Sequence, residues 1–252
     1  MRTLIIDNSN TRTKFVIAEN GMLLPDQEII PTTEISESRL KETLNGSSSI
    51  QNWDASIISS VVPDKAQVLK RFLNSKPCHQ LSYQSKLPIH ILYPKPEQIG
   101  ADRLANTVAA QHLYGGPAIV LDFGTAVTFD ILSASEGQEK AAYLGGVIAP
   151  GLASMTEGLS RRTALLPHIQ LEEPQSAIGK STEEAMLSGA VYGYRGLVRE
   201  IINQLCLELP TQPTVIATGG DAALITKELP EIQHLNPRLT LEGLRIIADL
   251  NL

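Results

Sequence analysis

Short apolar runs broken by polar turns dominate the first half of the chain. Residues 3–7 (TLIID) and 14–19 (KFVIAE) predict two strands joined by the polar NSNTR connection. A third strand is expected over 21–30 (GMLLPDQEII), with an irregularity marked by Pro25. Helical spacing takes over in SESRLKETLNG, residues 36–46, capped by Ser36 and stopped at Asn45-Gly46. ASIISSVVP (55–63) returns to strand, and DKAQVLKRFLN (64–74) predicts a helix opened by Asp64. Residues 96–116 (PEQIGADRLANTVAAQHLYGG) predict one longer helix, with Pro96 near its start and Gly115-Gly116 at its end.

The opening theme then recurs. AIVLD (118–122) is a buried-type strand, FGTA a turn, and VTFDIL (127–132) a returning strand. AAYLGGVIAPG (141–151) predicts a further strand that ends in a corner at Pro150-Gly151. Helices are expected over about 151–160 and 181–207, and VIATGGDAAL (215–224) reads as strand, Gly-Gly turn and helix start. LTLEGLRIIADLNL (239–252) closes the chain as an amphipathic helix. Strand–Asp–turn–strand units thus occur twice, at Asp7 and Asp122, with no low-complexity linker between them. The economical reading is an α/β protein of two related lobes, 1–115 and 116–252, divided at Gly115-Gly116-Pro117.

Composition narrows the function classes. A chain of 252 residues allows one large domain or two of about 120 each. With 42% hydrophobic and 19% charged residues it carries enough apolar side chains for a full core. A net charge of -6 offers no long-range attraction to nucleic acid or anionic membrane, so neither is expected as a partner. No apolar run approaches the roughly 18 residues that span a bilayer. The first apolar run is interrupted by Asp7 with no cleavage-like site after it. A cytoplasmic location is the expectation. Cys78 and Cys206 lie far apart and form no CxxC pair, so they read as buried or half-buried free thiols. The five His show no metal-ligand spacing, and no catalytic His is expected.

The two Asp turns carry the candidate chemistry. A strand ending in Asp, followed by small or hydroxyl residues, directs N–H groups and hydroxyls into a concave space suited to phosphate oxygens. The Asp itself can hold a cation or its hydration shell. Taken alone, the Asp7 turn reads as a structural Asx turn and the Gly219-Gly220 turn as a plain strand-to-helix connection. Their joint occurrence with Asp122-Phe123-Gly124-Thr125 favours a nucleotide site.

The order of these turns resembles the actin, Hsp70 and sugar-kinase superfamily of ATP-binding proteins, and the chain looks like a type III pantothenate kinase nearly end to end. The resemblance rests on DNSNTRTK (7–14), SSVVP (59–63), YPKPEQIGADR (93–103), DFGTAVTFD (122–130), LGGVIAPG (144–151), KSTEEAMLSGAVYG (180–193) and ATGGDA (217–222). It implies two ribonuclease-H-like lobes with ATP between them. The implied activity is ATP-dependent phosphorylation of pantothenate to 4′-phosphopantothenate, the first step of coenzyme A biosynthesis. It assigns ATP contacts to Asp7, Asn8, Ser9, Asn10, Thr11, Arg12, Thr13, Lys14 and Thr125, and the general base to Asp102. Pantothenate contacts fall on Tyr93, Gly100, Ala101, Asp102, Arg103 and Thr182, and a monovalent cation (K⁺ or NH₄⁺) on Asp122 beside ATP with Mg²⁺. A homodimer is also implied, with 186–205 as either an interface helix or a core helix.

Plainer readings stand beside these. Asp102-Arg103 also fits a helix-start Asp with a surface Arg, Tyr93 a packed loop Tyr, and Thr182 a helix cap. Asp130 reads as a strand-end polar residue outside the catalytic set, and Arg161-Arg162 as a solvated helix end. The alternatives in function are a non-catalytic regulator that kept the ATP fold and a kinase of a different small alcohol. One departure falls in the first turn, where the family pattern Asp-x-Gly-Asn-(Thr/Ser) meets Asp7-Asn8-Ser9-Asn10-Thr11. Glycine admits positive φ and close approach of phosphate; serine adds a Cβ and a hydroxyl.

Overall fold

The structure is a computed structural model that describes residues 1–135 and 140–252. Its elements begin with β1 (Arg2–Asn8), β2 (Arg12–Glu19), β3 (Met22–Pro31), α1 (Glu37–Gly46), β4 (Ala55–Ser60) and α2 (Pro63–Phe72). Next come β5 (Cys78–Gln80), β6 (His90–Ile91), α3 (Ala101–Tyr114), β7 (Ala118–Phe123), β8 (Ala126–Leu132) and β9 (Ala142–Pro150). The remainder is α4 (Leu152–Arg162), α5 (Thr182–Glu208), β10 (Thr214–Gly219), α6 (Ala222–Thr226), β11 (His234–Leu235) and α7 (Leu239–Asn251).

The chain forms two compact units. The first comprises Met1–Leu113, Ser135–Leu144 and Arg238–Leu252; the second comprises Tyr114–Ala134 and Gly145–Pro237. The final helix therefore does not join the second half of the chain, where the sequence reading put it. Its physical reason is burial: α7 packs its apolar face on β1 and β4, with Leu239, Leu244 and Ile247 fully buried. The Thr240 hydroxyl also donates to Asn106 Oδ1 of α3 at 2.8 Å, a buried pair that ties the helix in place.

In the first unit the sheet runs β3-β2-β1-β4-β5. β1 pairs antiparallel with β2 and parallel with β4. Alternation along these strands sends Leu4, Ile6, Phe15, Ile17 and Ile58 to one face, under Leu40 and Leu44 of α1 and Leu69 of α2. The irregularity expected at Pro25 is present, since the β2–β3 register shifts between Val16 and Ala18. Ser36 caps α1 by accepting from Arg39 N, as its sequence predicts. α2 differs: it starts one residue early, at Pro63, with no side-chain cap, and Asp64 sits in its first turn. Proline suits that first position because its missing N–H has no partner there anyway.

The second unit's strands lie in the order β11-β10-β7-β8-β9, and β6 pairs with the first residues of β9 in the first unit. β10 is parallel to β7 and β8 antiparallel to it. Ile119, Leu121, Phe123, Val127 and Phe129 face Tyr194, Val198 and Ile202 of α5 and Ile225 of α6 in one buried cluster. Among the described residues no helix is long and apolar enough to cross a membrane. Both cysteines are free and half-buried, and burial pushes the Cys206 thiol up.

Candidate active site

The first turn is the tip of the β1–β2 hairpin, where Asp7 pairs with Lys14 and Asn8 with Thr13. Because side chains alternate across a strand, the two pairs face opposite ways. On the Asn8 side a one-way chain of hydrogen bonds holds the turn. The Ser60 hydroxyl donates to Asn8 Oδ1 at 2.6 Å, and Asn8 Nδ2 donates to Thr13 Oγ1 at 2.7 Å. Thr32 gives its one hydroxyl proton to the Ser9 carbonyl at 2.7 Å, which leaves Thr13 as donor in the 2.9 Å Thr13–Thr32 pair. Asn8 and Thr13 thus spend their side chains on shaping the loop. Asn10, Thr11 and Arg12 are exposed at its tip.

On the other side sits Asp7, only 3% exposed. Its Oδ2 lies 3.6 Å from Lys14 Nζ, and its Oδ1 accepts from the Ser9 hydroxyl at 3.0 Å. Burial pushes the Asp7 carboxyl above its ordinary range, while Lys14 and the Ser9 hydroxyl pull it back down. Among the described residues the non-glycine positions with positive φ are Asn20 and Asn52, and Ser9 is not one of them. The Cβ that glycine would lack is therefore carried without backbone strain, and the hydroxyl is engaged with Asp7. Ser59, across from Asp7 on β4, is buried, and its hydroxyl has no hydrogen-bond partner among the described residues.

Residues 96–116 do not form one helix. Pro96–Gln98 make a 3₁₀ turn, Ile99-Gly100 interrupt it, and α3 begins at Ala101. That break puts Asp102 and Arg103 in the first turn of a helix rather than in its middle. Asp102 Oδ1 accepts from Arg103 N at 2.8 Å. The carboxylate folds back over residue 100, where a Cβ would sit 2.5 Å from Oδ1; only glycine leaves that space. The Arg103 guanidinium lies over the Tyr143 ring at 5.8 Å, and the Tyr93 ring meets the same ring edge-on at 6.0 Å. Ala101 is buried, so its side chain is part of the packing.

The second turn, between β7 and β8, closes with Gly124 N donating to Ala126 O at 3.0 Å. The Thr125 carbonyl accepts from Gly151 N at 3.1 Å and from the Ser154 hydroxyl at 2.8 Å, while Thr125 itself is exposed. Asp122 is half-buried, with Thr128 of β8 and Thr218 of β10 as its register neighbours. The Gly219-Gly220 turn lies against this hairpin: Gly219 has φ +100, and a Cβ there would come within 2.5 Å of Phe123 backbone atoms. Asp221 N donates to Phe123 O at 3.3 Å. Burial, and then the Asp221 charge, raises the Tyr194 phenol, whose OH donates to Pro150 O at 3.2 Å. Asp130 is fully buried and accepts from the Thr128 hydroxyl at 3.3 Å.

Thr182 opens α5 but does not cap it. Ser181 Oγ accepts from Glu184 N, and Glu184 in turn accepts from Lys180 N at 2.6 Å, leaving Thr182 exposed. Arg161 pairs with Glu157 on an exposed helix end, as its sequence suggested. Thr32, Ser60 and Tyr143 escaped the sequence reading. Ser60 and Tyr143 stand on strands and Thr32 in the 3₁₀ turn just after β3, so each reaches its partner through chain pairing that a single sequence does not display.

The profile of the type III pantothenate kinase family matches residues 3–204. The chain belongs to this family. A type III pantothenate kinase of Akkermansia muciniphila is 55% identical over 252 residues, covering 100% of both chains. Among solved structures, a Campylobacter jejuni protein described as a Baf family transcriptional activator matches with a TM-score of 0.62 at 19% identity, over 98% of this chain and 97% of that one. Component A of the (R)-2-hydroxyglutaryl-CoA dehydratase of Acidaminococcus fermentans matches with a TM-score of 0.52 at 12% identity, over 97% and 95%. The fold is that of the actin/Hsp70/sugar-kinase ATPases. Type III pantothenate kinases phosphorylate pantothenate in coenzyme A biosynthesis, and this chain is a kinase of that kind, using ATP with Mg²⁺.

Proposed function

We propose that Asp102 is the general base of the reaction and that Tyr93, Gly100–Arg103 and Thr182 bind pantothenate. In this reading ATP is held by the 7–14 turn, by Thr125 and by the Gly219-Gly220 turn. The observation that carries it is the Asp102 carboxylate at the start of α3, folded over Gly100 and fixed by Arg103 N. A base must be placed before it can act, and that hydrogen bond sets the plane of the carboxylate. Asp102 takes the proton of the substrate's primary hydroxyl as that oxygen bonds to the γ-phosphorus. The bond from phosphorus to the bridging oxygen breaks, and ADP leaves with the electron pair. Arg103 supplies a permanent cation to the anionic oxygens beside it.

Asp122 suits a monovalent cation. Its register neighbours Thr128 and Thr218 both carry hydroxyls, so the side chains around it offer oxygen donors, which hard cations prefer. The cation would screen phosphate charge. A homodimer is supported by α5, whose Val191, Tyr194 and Val198 are buried while Ala185, Gly189, Tyr192, Gly193 and Gly196 are exposed on other sides. Small residues there admit close helix approach. The cytoplasm is the proposed location.

The test is a coupled assay with pantothenate, ATP, Mg²⁺ and K⁺ on wild type and Asp102→Asn. The variant should lose about 10²-fold or more in kcat while binding both substrates normally. Wild-type turnover in Asp102→Asn would remove the base assignment.

A further inference from the structure

Tyr143 has no role in the reading above, yet the pantothenate-side residues converge on it. Its side chain is fully buried. The Arg103 guanidinium carbon lies 5.8 Å from the ring centre, within the roughly 6 Å over which a ring face attracts a cation. The Tyr93 ring meets it at 6.0 Å and 72°, the edge-to-face arrangement that ring quadrupoles favour. Main-chain bonds reach the same residue. Ile91 of β6 pairs with Tyr143 of β9, and Leu92 N donates to the Tyr143 carbonyl at 2.9 Å. The segment that delivers Tyr93 is therefore fixed to Tyr143 through both backbone and ring.

The geometry points to Tyr143 as a positioning residue for pantothenate, an aromatic platform that holds Arg103 and Tyr93 in place before the substrate arrives. This inference rests on Tyr93 and Arg103 contacting pantothenate. An arginine side chain loses much rotamer freedom when it binds, and a guanidinium already settled on a ring loses less at that moment. Tyr143 does not touch the substrate. Its effect passes through the other two residues, so it belongs to pantothenate affinity and not to ATP affinity.

The experiment compares Tyr143→Met, Tyr143→Phe, Arg103→Ala and the double variant Arg103→Ala/Tyr143→Met. Pantothenate is titrated calorimetrically into protein carrying a non-hydrolysable ATP analogue, and KM is measured for both substrates. Tyr143→Met keeps apolar bulk but loses the ring, and should weaken pantothenate by roughly ten-fold. KM for ATP should stay within about two-fold, and Tyr143→Phe should keep nearly all of the affinity. In the Arg103→Ala background the Met substitution should add no more than about three-fold, because one of its two dependants is already gone.

Several results would overturn the platform. One is unchanged pantothenate affinity in Tyr143→Met beside a weakened Arg103→Ala. Others are equal rises in both KM values, or full additivity in the double variant. Tyr143→Phe preserves the packing and guards against a folding failure: a ten-fold loss there would mean the ring is not what acts. If Arg103→Ala itself leaves pantothenate binding unchanged, the pocket reading falls and the platform with it.

Discussion

Replacing Ser9 by alanine removes one bond from a buried carboxylate, and the consequence should depend on pH. The Ser9 hydroxyl donates to Asp7 Oδ1 at 3.0 Å, and Lys14 is the other group that draws the carboxylate toward its charged form. Burial outweighs both, so the native Asp7 pKa stands above the ordinary 3.8. Above 3.8 the native state then holds its proton more tightly than the unfolded chain, and stability falls as pH rises toward the native value. Removing the hydroxyl raises that native value further and deepens the loss at neutral pH. A hydrogen bond to a charged group contributes about 1.5–3 kcal/mol, and partial access of water to Ser9 reduces this to about 1 kcal/mol. Against a neutral carboxyl the same bond is worth about half as much or less. Urea unfolding of wild type and Ser9→Ala at about pH 4 and about pH 7.5 reads the difference. The variant should be destabilised at the higher pH by about 1 kcal/mol and at the lower by clearly less. Its KM for ATP should change by less than about three-fold, because the hydroxyl is engaged with Asp7 and not reserved for phosphate. Equal destabilisation at both pH values, together with a roughly ten-fold rise in ATP KM, would refute the reasoning and make Ser9 a phosphate donor.

Two further outcomes follow from the site and its support. Gly100→Ala should leave the thermal midpoint almost unchanged, because the obstructed atom is the movable end of the Asp102 side chain, 2.5 Å from the new Cβ; steady-state kinetics should show kcat reduced by roughly ten-fold or more as the carboxylate is displaced. Arg195→Met removes a buried guanidinium that meets Glu173 at 2.8 and 2.7 Å and the carbonyls of Leu224 and Ile225 at 2.7 and 3.2 Å. Thermal unfolding should record a loss of about 3 kcal/mol, or a midpoint lower by roughly 6–12 °C. Arg195 holds the Glu173 carboxyl below its ordinary 4.5, so the pair's contribution is present above that pH and fades as pH falls through the lower native value. The gap between variant and wild type should narrow in acid.

How far the fold was legible depended on whether its signal was local. The strand–turn–strand units at Asp7 and Asp122 came from apolar runs of strand length and polar turns, and both appear within a residue or two of their expected bounds. Ser36 announced its helix because a cap is a local bond. The short strands β5, β6 and β11 carry almost no pattern of their own and exist because a longer strand offers them an edge. Helix α7 was readable as a helix but not as part of the first unit, since amphipathicity says that a face is buried and not against what. In the candidate site, the sequence offered the residues whose side chains carry chemistry, and gave no sign of the groups that hold them. Thr32 reaches the Ser9 carbonyl from 23 positions away, and Tyr143 receives Arg103 from a separate segment of the first unit.

The break at Ile99-Gly100 shows most clearly how position becomes chemistry. Helical spacing across 96–116 argued for one continuous helix, and in such a helix Asp102 would stand mid-turn with its backbone neighbours already bonded to one another. Interrupting the chain instead creates a helix end, and the first N–H groups of a helix have no partner inside it. Arg103 N is one of these, and Asp102 is the side chain that accepts from it. The glycine that allows the carboxylate to fold back lies in the interruption itself. One backbone irregularity thus does three things: it ends the 3₁₀ turn, frees the donor that fixes the carboxylate, and leaves the space the carboxylate occupies. A continuous helix would supply the same residues without the arrangement, so the geometry belongs to Ile-Gly-Ala-Asp-Arg and not to an Asp-Arg pair alone.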